Sequence, residues 1–248
     1  MATRPRFVNV LKHVRRIRPD IADPKGAIEQ RALLVGDRIV TNTDSLVPSD
    51  APVVVRHARP LRGEDKLRAA LDAFGVDVTR RVCVDLGAAA GGFTRVLLER
   101  GAARVFAVDA GHGQLRGDLR NHSRVVCLER TNLGDLRGRV PGCRPIDVVT
   151  IDLSYLSIAN ALPQLEGQMT FAGDADLVAL VKPMFELGFA APPKDDRRLK
   201  LALDHAVRGA AGAGWRVTAT MPSPVAGARG AIEFFLHSRR DPAGTRDS

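Results

Sequence analysis

The amino-acid sequence predicts an α/β protein with a doubly wound, mostly parallel sheet and a small α+β unit at its N-terminus. Three observations support this prediction. From residue 82 onward, short apolar runs alternate with helix-length segments, as in sheets covered by helices on both faces. A glycine-rich turn, DLGAAAGGFT at residues 85–94, joins the first of these runs to a helix start. The length of 248 residues and the hydrophobic content of 45% allow one sizeable core with a small appendage.

The sequence pattern of the N-terminal unit, residues 1–56, predicts two helices and a few short strands. Apolar side chains recur at helical spacing from Phe7 to Ile17, and a second short helix is predicted over Gly26–Leu34. Arg38–Val40 and Pro52–Arg56 are typical of short strands. A helix followed by GDRIVTN and later by PSDAPVVVRH resembles the S-four-like RNA-binding domain. That resemblance implies a degenerate copy of this domain.

The remaining boundaries follow from composition. Residues 57–63 are rich in Arg and Pro and predict a linker, residues 64–240 form the main domain, and the polar tail 241–248 is predicted to be disordered. Six apolar runs predict the strands of the main domain: Val82–Val84, Val105–Val108, Val125–Leu128, Val148–Ile151, Leu177–Val181 and Ile232–Leu236. In such a sheet we expect ligands outside the carboxyl ends of the strands.

The charge of the chain indicates a polyanionic partner. The formal net charge is +9 and the isoelectric point is near 10.3, and +5 of this charge lies in residues 1–80. The aromatic content of 4% argues against a surface that stacks several bases, so we expect nucleic-acid contacts mainly with phosphates and shape. No apolar run is long enough to span a bilayer and no signal-peptide pattern opens the chain, so we expect a cytoplasmic protein.

The glycine-rich turn predicts a ligand site, because glycines let a ligand approach the backbone and the helix start offers free N–H groups. Two ligand classes fit a turn at this place. A dinucleotide fold requires G-x-G-x-x-G, but the spacing here is G-A-A-A-G-G. The D-x-G-x-x-x-G pattern favours S-adenosylmethionine, with an acid at the end of the next strand on the ribose diol. Asp109 occupies that position.

Five motifs in order resemble the TlyA-type (hemolysin A) branch of the FtsJ-like RNA 2′-O-methyltransferases. They are DLGAAAGGFT, AVDAGHGQL, LERTN, IDLSYLS and VKPMFE, and the resemblance covers about residues 60–240. It implies a Rossmann-like class I methyltransferase domain, S-adenosylmethionine as cofactor, ribosomal RNA or a ribosomal subunit as partner, and no metal.

The resemblance also implies a cofactor site, residue by residue. Gly87, Gly91 and Phe93 are expected at the methionine and sulfonium end, and Asp109 at the ribose hydroxyls. Asn132 matches the position at the edge of the adenine, where many relatives have Asp. A turn residue after a strand is the alternative interpretation of Asn132.

A Lys-Asp-Lys-Glu set at the methyl-acceptor site is implied in the same way. Lys66, Asp152, Lys182 and Glu233 match its positions. The chain has six lysines against 31 arginines, so lysine at both required positions is notable. An arginine stays protonated, whereas the pKa of a lysine can move.

The roles within this set follow from the reaction. Methyl transfer is an in-line displacement, so the acceptor hydroxyl must be aligned and its proton taken or oriented. We expect Lys182 to do this, either as a base or as an orienting group. Asp152 would position Lys182 and face the sulfonium, and Lys66 and Glu233 would complete one hydrogen-bonded set around it.

Three departures from the family pattern leave other functions open. Residues 189–200 read FAAPPKDDRRLK where the family has a glycine-rich segment, and Gly230–Ala231 replaces Gly-Asn. The N-terminal unit is also degenerate. All three affect surfaces that face the substrate, so the alternatives are an O-methyltransferase acting on a small hydroxylated natural-product intermediate, and an RNA-binding protein that keeps the fold without turnover.

Overall fold

A computed structural model describes residues 6–21, 23–29, 32–55, 61–140 and 144–240. The chain divides into two compact units, residues 1–59 and 60–248. The predicted tail at 241–248 and residues 57–60 of the predicted linker lie outside the described residues. Among the described helices, none has the length and apolar character needed to cross a bilayer.

The N-terminal unit holds two helices and two small antiparallel sheets. β1 pairs with β4, and β2 lies between β3 and β5. A core of Val10, Val14, Ile28 and Leu33, none of which is solvent-exposed, lies between them. The elements are β1 (Phe7–Asn9), α1 (Val10–Ile17), α2 (Pro24–Glu29), β2 (Leu33–Val35), β3 (Arg38–Ile39), β4 (Leu46–Pro48) and β5 (Val53–Val55).

Two helix predictions in this unit extend too far. Phe7–Asn9, predicted as helix, is a strand, because its backbone pairs with β4 some forty residues later. Asn9 ends that strand with extended backbone, and its side chain accepts a hydrogen bond from the Lys12 N–H, which starts α1 at Val10. Leu33 and Leu34, also predicted as helix, belong to β2. Both errors arise because helical spacing does not report partners that are distant in sequence.

The second unit alternates strands and helices. α3 begins at Arg62, so Arg62 and Gly63 are helical and not linker as predicted. Short 3₁₀ helices lie at Leu133–Asp135 and Ala228–Gly230. The elements are α3 (Arg62–Phe74), β6 (Val82–Leu86), α4 (Gly92–Glu99), β7 (Arg104–Val108), α5 (Gly117–Arg120), β8 (Val125–Leu128), β9 (Ile146–Ile151), α6 (Ile158–Leu165), β10 (Phe171–Val181), α7 (Pro183–Glu186), α8 (Asp196–Gly212), β11 (Trp215–Pro222) and β12 (Phe234–Arg240).

These strands form one seven-stranded sheet in the order β11-β12-β10-β9-β6-β7-β8. The strands from β6 to β10 are parallel and β12 is antiparallel to both of its neighbours, so the predicted mostly parallel sheet is confirmed. Successive residues of β6 pack on opposite faces, Val84 in one apolar core and Cys83 in the other. The sheet is therefore covered on both sides, as a doubly wound fold requires.

Two strand assignments at the edge of the sheet differ from the sequence-based prediction. β11 was not predicted, because on this edge strand partly buried side chains alternate with exposed ones instead of forming an apolar run. Ile232 and Glu233, predicted as strand, precede β12, which begins at Phe234.

The strand order reverses between β6 and β9. From β6 the chain moves outward to β7 and β8, then returns to β9 on the other side of β6. Crevices at such a reversal are where doubly wound sheets hold ligands. Gly87 follows β6 and Asp152 follows β9, so both lie at this crevice.

Candidate active site

The turn after β6 is shaped by two glycines with left-handed backbone. Gly87 has φ +85° and Gly91 has φ +95°. The N–H groups of Gly87 and Ala88 both donate to the Val108 carbonyl, at 2.9 and 3.0 Å, which joins the turn to the end of β7. Gly91 directly precedes α4 as its N-cap residue, and a Cβ there would overlap Leu119 Cδ1. A side chain is therefore excluded at both predicted glycine positions.

Asp109, at the end of β7, lies beside this turn. Its Oδ2 accepts the Ala89 N–H at 2.8 Å, and its Oδ1 accepts the Gly111 N–H at 2.7 Å. These bonds hold the carboxylate at the wall of a pocket of about 270 Å³, which we call the first pocket. Other residues of its wall are Gly87, Gln114, Leu133, Asp152, Ser154 and Tyr155.

The loop that carries Gly111 and Gln114 is held by Glu129. The N–H groups of Gly113, Gln114 and Leu115 donate to the Glu129 carboxylate at 2.8 to 3.1 Å. Arg120 pairs with the same carboxylate at 2.7 Å. The hydrogen bond from Arg120 and those from the loop lower the pKa of Glu129 to about 2. Glu129 was not predicted as a site residue, although it lies within the LERTN motif.

Asp85, the first residue of the glycine-rich motif, lies beneath the turn and is fully buried. The Thr94 hydroxyl donates to its Oδ2 at 2.6 Å, and the Thr150 hydroxyl donates to its Oδ1 at 2.9 Å. Burial raises the pKa of Asp85 to about 6, since these two hydrogen bonds only partly compensate for the loss of water. Asp85 thus ties β6, β9 and α4 together below the first pocket.

Three residues predicted for the cofactor site, Gly91, Phe93 and Asn132, lie outside the wall of the first pocket. Phe93 is 3% exposed and stacks on Phe235 with 6.2 Å between ring centroids, because α4 turns this side chain into the apolar core. Asn132 is exposed, and its amide donates to Asp135 at 3.2 Å in the 3₁₀ turn. Its neighbours Thr131 and Leu133 line the pocket instead.

Three of the four predicted acceptor residues, Lys66, Lys182 and Glu233, line a second pocket of about 350 Å³, whereas Asp152 lines the first. Lys66, Ser154, Lys182 and Glu233 supply its polar groups. Apolar side chains form most of the remaining wall, among them Met184, Phe185, Pro192 and Ile232. We call this cavity the second pocket. Ser154 lines both pockets, so the two cavities adjoin at this residue.

The four predicted acceptor residues form two separate ion pairs. Lys182 Nζ lies 2.5 Å from Asp152 Oδ1, and Lys66 Nζ lies 2.5 Å from Glu233 Oε2. Lys66 and Glu233 are each 6% exposed, so this second pair is almost fully buried. The prediction of one set with two carboxylates around Lys182 is therefore corrected, because Glu233 pairs with Lys66.

Ser154 takes the place next to Lys182 that was predicted for Glu233. Lys182 Nζ donates to Ser154 Oγ at 2.8 Å. The contact between Lys182 and Asp152 is an ion pair without hydrogen-bond alignment, since Asp152 Oδ1 has no aligned donor among the described residues. Ser154 lies two residues after Asp152 in IDLSYLS, and its hydroxyl in that motif was the only signal that sequence reasoning could have used.

The elements around Lys182 hold it at the junction of the pockets. Lys182 follows β10 and precedes α7, whose first residue is Pro183. At the end of α7, the buried Glu186 accepts the Ile158 N–H and lies 2.9 Å from His205 Nδ1. Burial raises the pKa of Glu186. Through Glu186, the short helix after Lys182 is anchored to α6 and α8.

The charge of the first pocket separates the two predicted ligand classes. Asp109 and Asp152 line it, whereas no lysine or arginine among the described residues does. Such a wall suits a cation and a ribose diol, and it offers no side-chain cation to a pyrophosphate. The residues present therefore fit S-adenosylmethionine, whose sulfonium is positive, better than a dinucleotide.

Comparison with known proteins gives the same assignment. Residues 61–240 match the family of FtsJ-like methyltransferases. The 16S/23S rRNA (cytidine-2′-O)-methyltransferase TlyA of Mycobacterium tuberculosis is 45% identical over 186 residues, which cover 72% of this chain and 67% of that protein. Hemolysin A of Brachyspira hyodysenteriae is 31% identical over 208 residues, or 82% of this chain and 86% of that one. A solved hemolysin-type structure from Lactococcus lactis superimposes with a TM-score of 0.68 at 30% identity, covering 73% of this chain and 88% of that one.

Proposed function

The chain belongs to the family of FtsJ-like methyltransferases, and we propose that it transfers a methyl group from S-adenosylmethionine to a ribose 2′-hydroxyl of ribosomal RNA. As a member of that family it is an S-adenosylmethionine-dependent enzyme. The RNA substrate is inferred from relatives named as rRNA (cytidine-2′-O)-methyltransferases. A ribosomal subunit, in which such RNA is folded, is the partner that we propose.

One observation carries the proposal: a donor pocket and an acceptor pocket adjoin at a lysine–carboxylate pair. Asp152 lines the first pocket and Lys182 the second, and their charged atoms lie 2.5 Å apart. A methyl group bound on one side and a hydroxyl on the other would therefore be brought together at this pair. Alignment of this kind is the main requirement of an in-line displacement.

The first pocket is proposed to orient the cofactor. When bound, S-adenosylmethionine supplies a methyl group on a positively charged sulfur. Asp109 would accept hydrogen bonds from the ribose hydroxyls, since each of its oxygens has a lone pair left after its contact with the turn. Asp152 would face the positive charge, and Gly87 leaves the backbone bare beside it.

Lys182 is proposed to orient the acceptor hydroxyl or to take its proton. Its ammonium lies between the Asp152 carboxylate and the Ser154 hydroxyl, and both restrict where Nζ can point. Ser154 is therefore proposed as a positioning residue. A charged Lys182 stabilises negative charge that develops on the attacking oxygen. A neutral Lys182 can accept the hydroxyl proton directly.

Lys66 and Glu233 are proposed to support this site from the wall of the second pocket. Because they neutralise each other in a buried contact, removal of one partner leaves an uncompensated charge. Gly227 keeps the wall close to the pair, since a Cβ at that position would overlap Glu233 Oε1. The pair thus fixes the shape of the second pocket next to Lys182.

The N-terminal unit is proposed to contact RNA. Residues 1–56 carry 10 basic and 6 acidic residues, and this surplus matches the S-four-like resemblance of the same residues. We propose that this unit adds affinity for the RNA through phosphate contacts. The catalytic residues then all belong to the second unit.

One observation favours a second candidate function. The second pocket is lined mostly by apolar side chains such as Met184, Phe185 and Ile232, which would also accept a small hydroxylated molecule. The chemistry at Lys182 would be unchanged, and only the acceptor would differ.

Transfer of a radiolabelled methyl group distinguishes these acceptors. The purified protein is incubated with labelled S-adenosylmethionine and, separately, with 70S ribosomes, 30S and 50S subunits, free rRNA and a small-molecule extract. We expect label in rRNA, and a 2′-O-methylnucleoside after digestion to nucleosides. Label only in the small-molecule extract would refute the RNA substrate, and label in no acceptor would support a binding protein without turnover.

A further inference from the structure

The chain between α7 and α8 forms part of the rim of the second pocket. Pro192 lines the pocket, and the next residue, Pro193, is buried. Beyond Pro193 the side chains of Lys194, Arg197 and Lys200 are exposed, and we call these three residues the basic rim. Lys194 follows Pro192 by two residues, so their Cα atoms are at most roughly 7 Å apart. The rim therefore begins at the mouth of the pocket.

The basic rim has no ion-pair partner in the part of the chain that the structure describes. Among the described residues, no ion pair involves Lys194, Arg197 or Lys200. Asp195, which lies between them in sequence, is used otherwise: its Oδ1 accepts the Arg198 N–H at 3.0 Å, and its Oδ2 lies 3.6 Å from Arg198 Nε. Asp196 is the one other acid of this segment. Three cations thus face solvent beside one free carboxylate.

An exposed aromatic ring lies in the same segment. Phe189 is 38% exposed, and its N–H donates to the Met184 carbonyl at 2.9 Å, which holds its backbone next to α7. The Arg198 guanidinium lies over the ring, 5.4 Å from its centroid. A ring supported by a guanidinium and partly open to water is a platform on which a base can stack.

We propose that the basic rim and Phe189 hold the single-stranded RNA next to the acceptor nucleotide, the rim through phosphates and the ring through one base. This inference rests on the proposed RNA substrate. Phosphates fit the rim because they are the densest source of negative charge on such a substrate. The single ring fits a single base, in keeping with the low aromatic content of the chain.

The salt dependence of RNA binding tests the rim. The probe is a fluorescent single-stranded rC12 oligonucleotide, titrated with the full-length protein at several KCl concentrations. For Lys194→Gln, Arg197→Gln and Lys200→Gln combined, we expect the slope of log K against log salt to fall by about 2, since each lost single-strand phosphate contact removes about 0.7.

A matched control removes the same charge elsewhere. Arg80, Arg104 and Arg144 are exposed and lie near the amino ends of β6, β7 and β9, on the edge of the sheet opposite the pockets. We expect the triple change Arg80→Gln, Arg104→Gln and Arg144→Gln to leave the slope within about 0.5 of wild type. Equal slopes for the rim variant and this control would overturn the proposal.

The Phe189 ring should affect RNA affinity and not its salt dependence. We expect Phe189→Ala to weaken rC12 binding by about five- to tenfold at every salt concentration, without a change of slope, because stacking carries no charge. Phe189→Trp should retain the wild-type affinity. Wild-type affinity in Phe189→Ala, or loss of affinity in Phe189→Trp, would exclude the ring from the surface.

Two further outcomes separate this inference from its premise. If polyglutamate binds with the same salt slope as rC12, the rim recognises acidic protein surfaces and the proposal is overturned. The proposal is also overturned if the wild-type protein does not bind rC12 at 50 mM KCl. In parallel, label transfer to ribosomal subunits tests the function. Protein that binds rC12 through the rim but labels no rRNA refutes the proposed substrate, whereas rRNA labelling with a rim variant equal to its control refutes the rim alone.

Discussion

Gly87 and Asp152 approach each other so closely that a Cβ on Gly87 would lie 2.4 Å from the carbonyl oxygen of Asp152. The two residues follow the neighbouring parallel strands β6 and β9. The backbone of the cofactor turn is therefore in direct contact with the residue that pairs with Lys182. Any side chain at position 87 must therefore displace the glycine-rich turn, the Asp152 backbone or both.

We expect Gly87→Ala to abolish cofactor binding and turnover. The substitution adds the strain of a left-handed alanine, about 1–2 kcal/mol, and also pushes the Asp152 backbone away. Gly138→Ala is the matched control, since Gly138 has φ +79° and a Cβ there meets nothing within 4 Å. Calorimetric titration with S-adenosylmethionine measures the difference, and equal affinity in the two variants would contradict the prediction.

Asp109→Ala is expected to weaken binding of S-adenosylmethionine by tenfold or more. The change removes a carboxylate that would accept ribose hydroxyls, and a hydrogen bond to a charged group contributes about 1.5–3 kcal/mol. It also frees the Ala89 and Gly111 N–H groups that shape the turn. Calorimetry with S-adenosylhomocysteine provides the measurement. An affinity within twofold of wild type would remove Asp109 from the cofactor site.

Lys182→Arg is expected to abolish methyl transfer while leaving cofactor affinity near that of wild type. Arginine keeps the charge but cannot lose its proton, and its planar group does not fit between Asp152 and Ser154. Single-turnover transfer to rRNA is the measurement. Arg104→Lys, the reverse exchange at an exposed position at the start of β7, is the control and should retain full activity. Full activity in Lys182→Arg would show that the lysine does not act on the acceptor.

Asp85→Asn is expected to raise the free energy of unfolding at pH 7.5. The folded pKa of about 6 lies above the ordinary value of 3.8, so folding favours the neutral form and stability falls as pH rises from about 4 to about 6. A shift of this size corresponds to about 3 kcal/mol at most. Asparagine stays neutral and can still bond to Thr94 and Thr150. Chemical denaturation between pH 4 and 8 tests this, and a less stable variant at pH 7.5 would contradict it.

Asp176 provides the contrast for that experiment. Burial alone would raise its pKa, but hydrogen bonds from His237 and Arg81 outweigh burial and lower the pKa to about 2. The stability that Asp176 contributes is present above pH 4 and is lost as pH falls through about 2. We therefore expect Asp176→Asn to lower the free energy of unfolding at pH 7.5 by about 2 kcal/mol, opposite in sign to Asp85→Asn.

Local features of the chain sufficed for the parallel strands and the turn. The apolar runs after residue 82 predicted five of the parallel strands, because strands buried on both faces need apolar side chains throughout. The spacing of Gly87 and Gly91 predicted the bare turn, since backbone with positive φ selects glycine whatever lies around it. The family resemblance predicted Lys66 and Lys182 as site residues before any geometry was known, and the scarcity of lysine supported that match.

The type of sheet and the turn can thus be predicted from local patterns, and the family resemblance adds the chemical groups of the site. Which of these groups meet depends on the fold: Glu233 pairs with Lys66, 167 residues away, and Ser154 lies beside Lys182 where Glu233 was predicted. It also paired Phe7–Asn9 with a later strand and turned Phe93 into the core. Propensity and spacing act between residues that are close in sequence. Ion pairs, strand pairing and side-chain packing also depend on elements that are distant in sequence, so local patterns do not predict them.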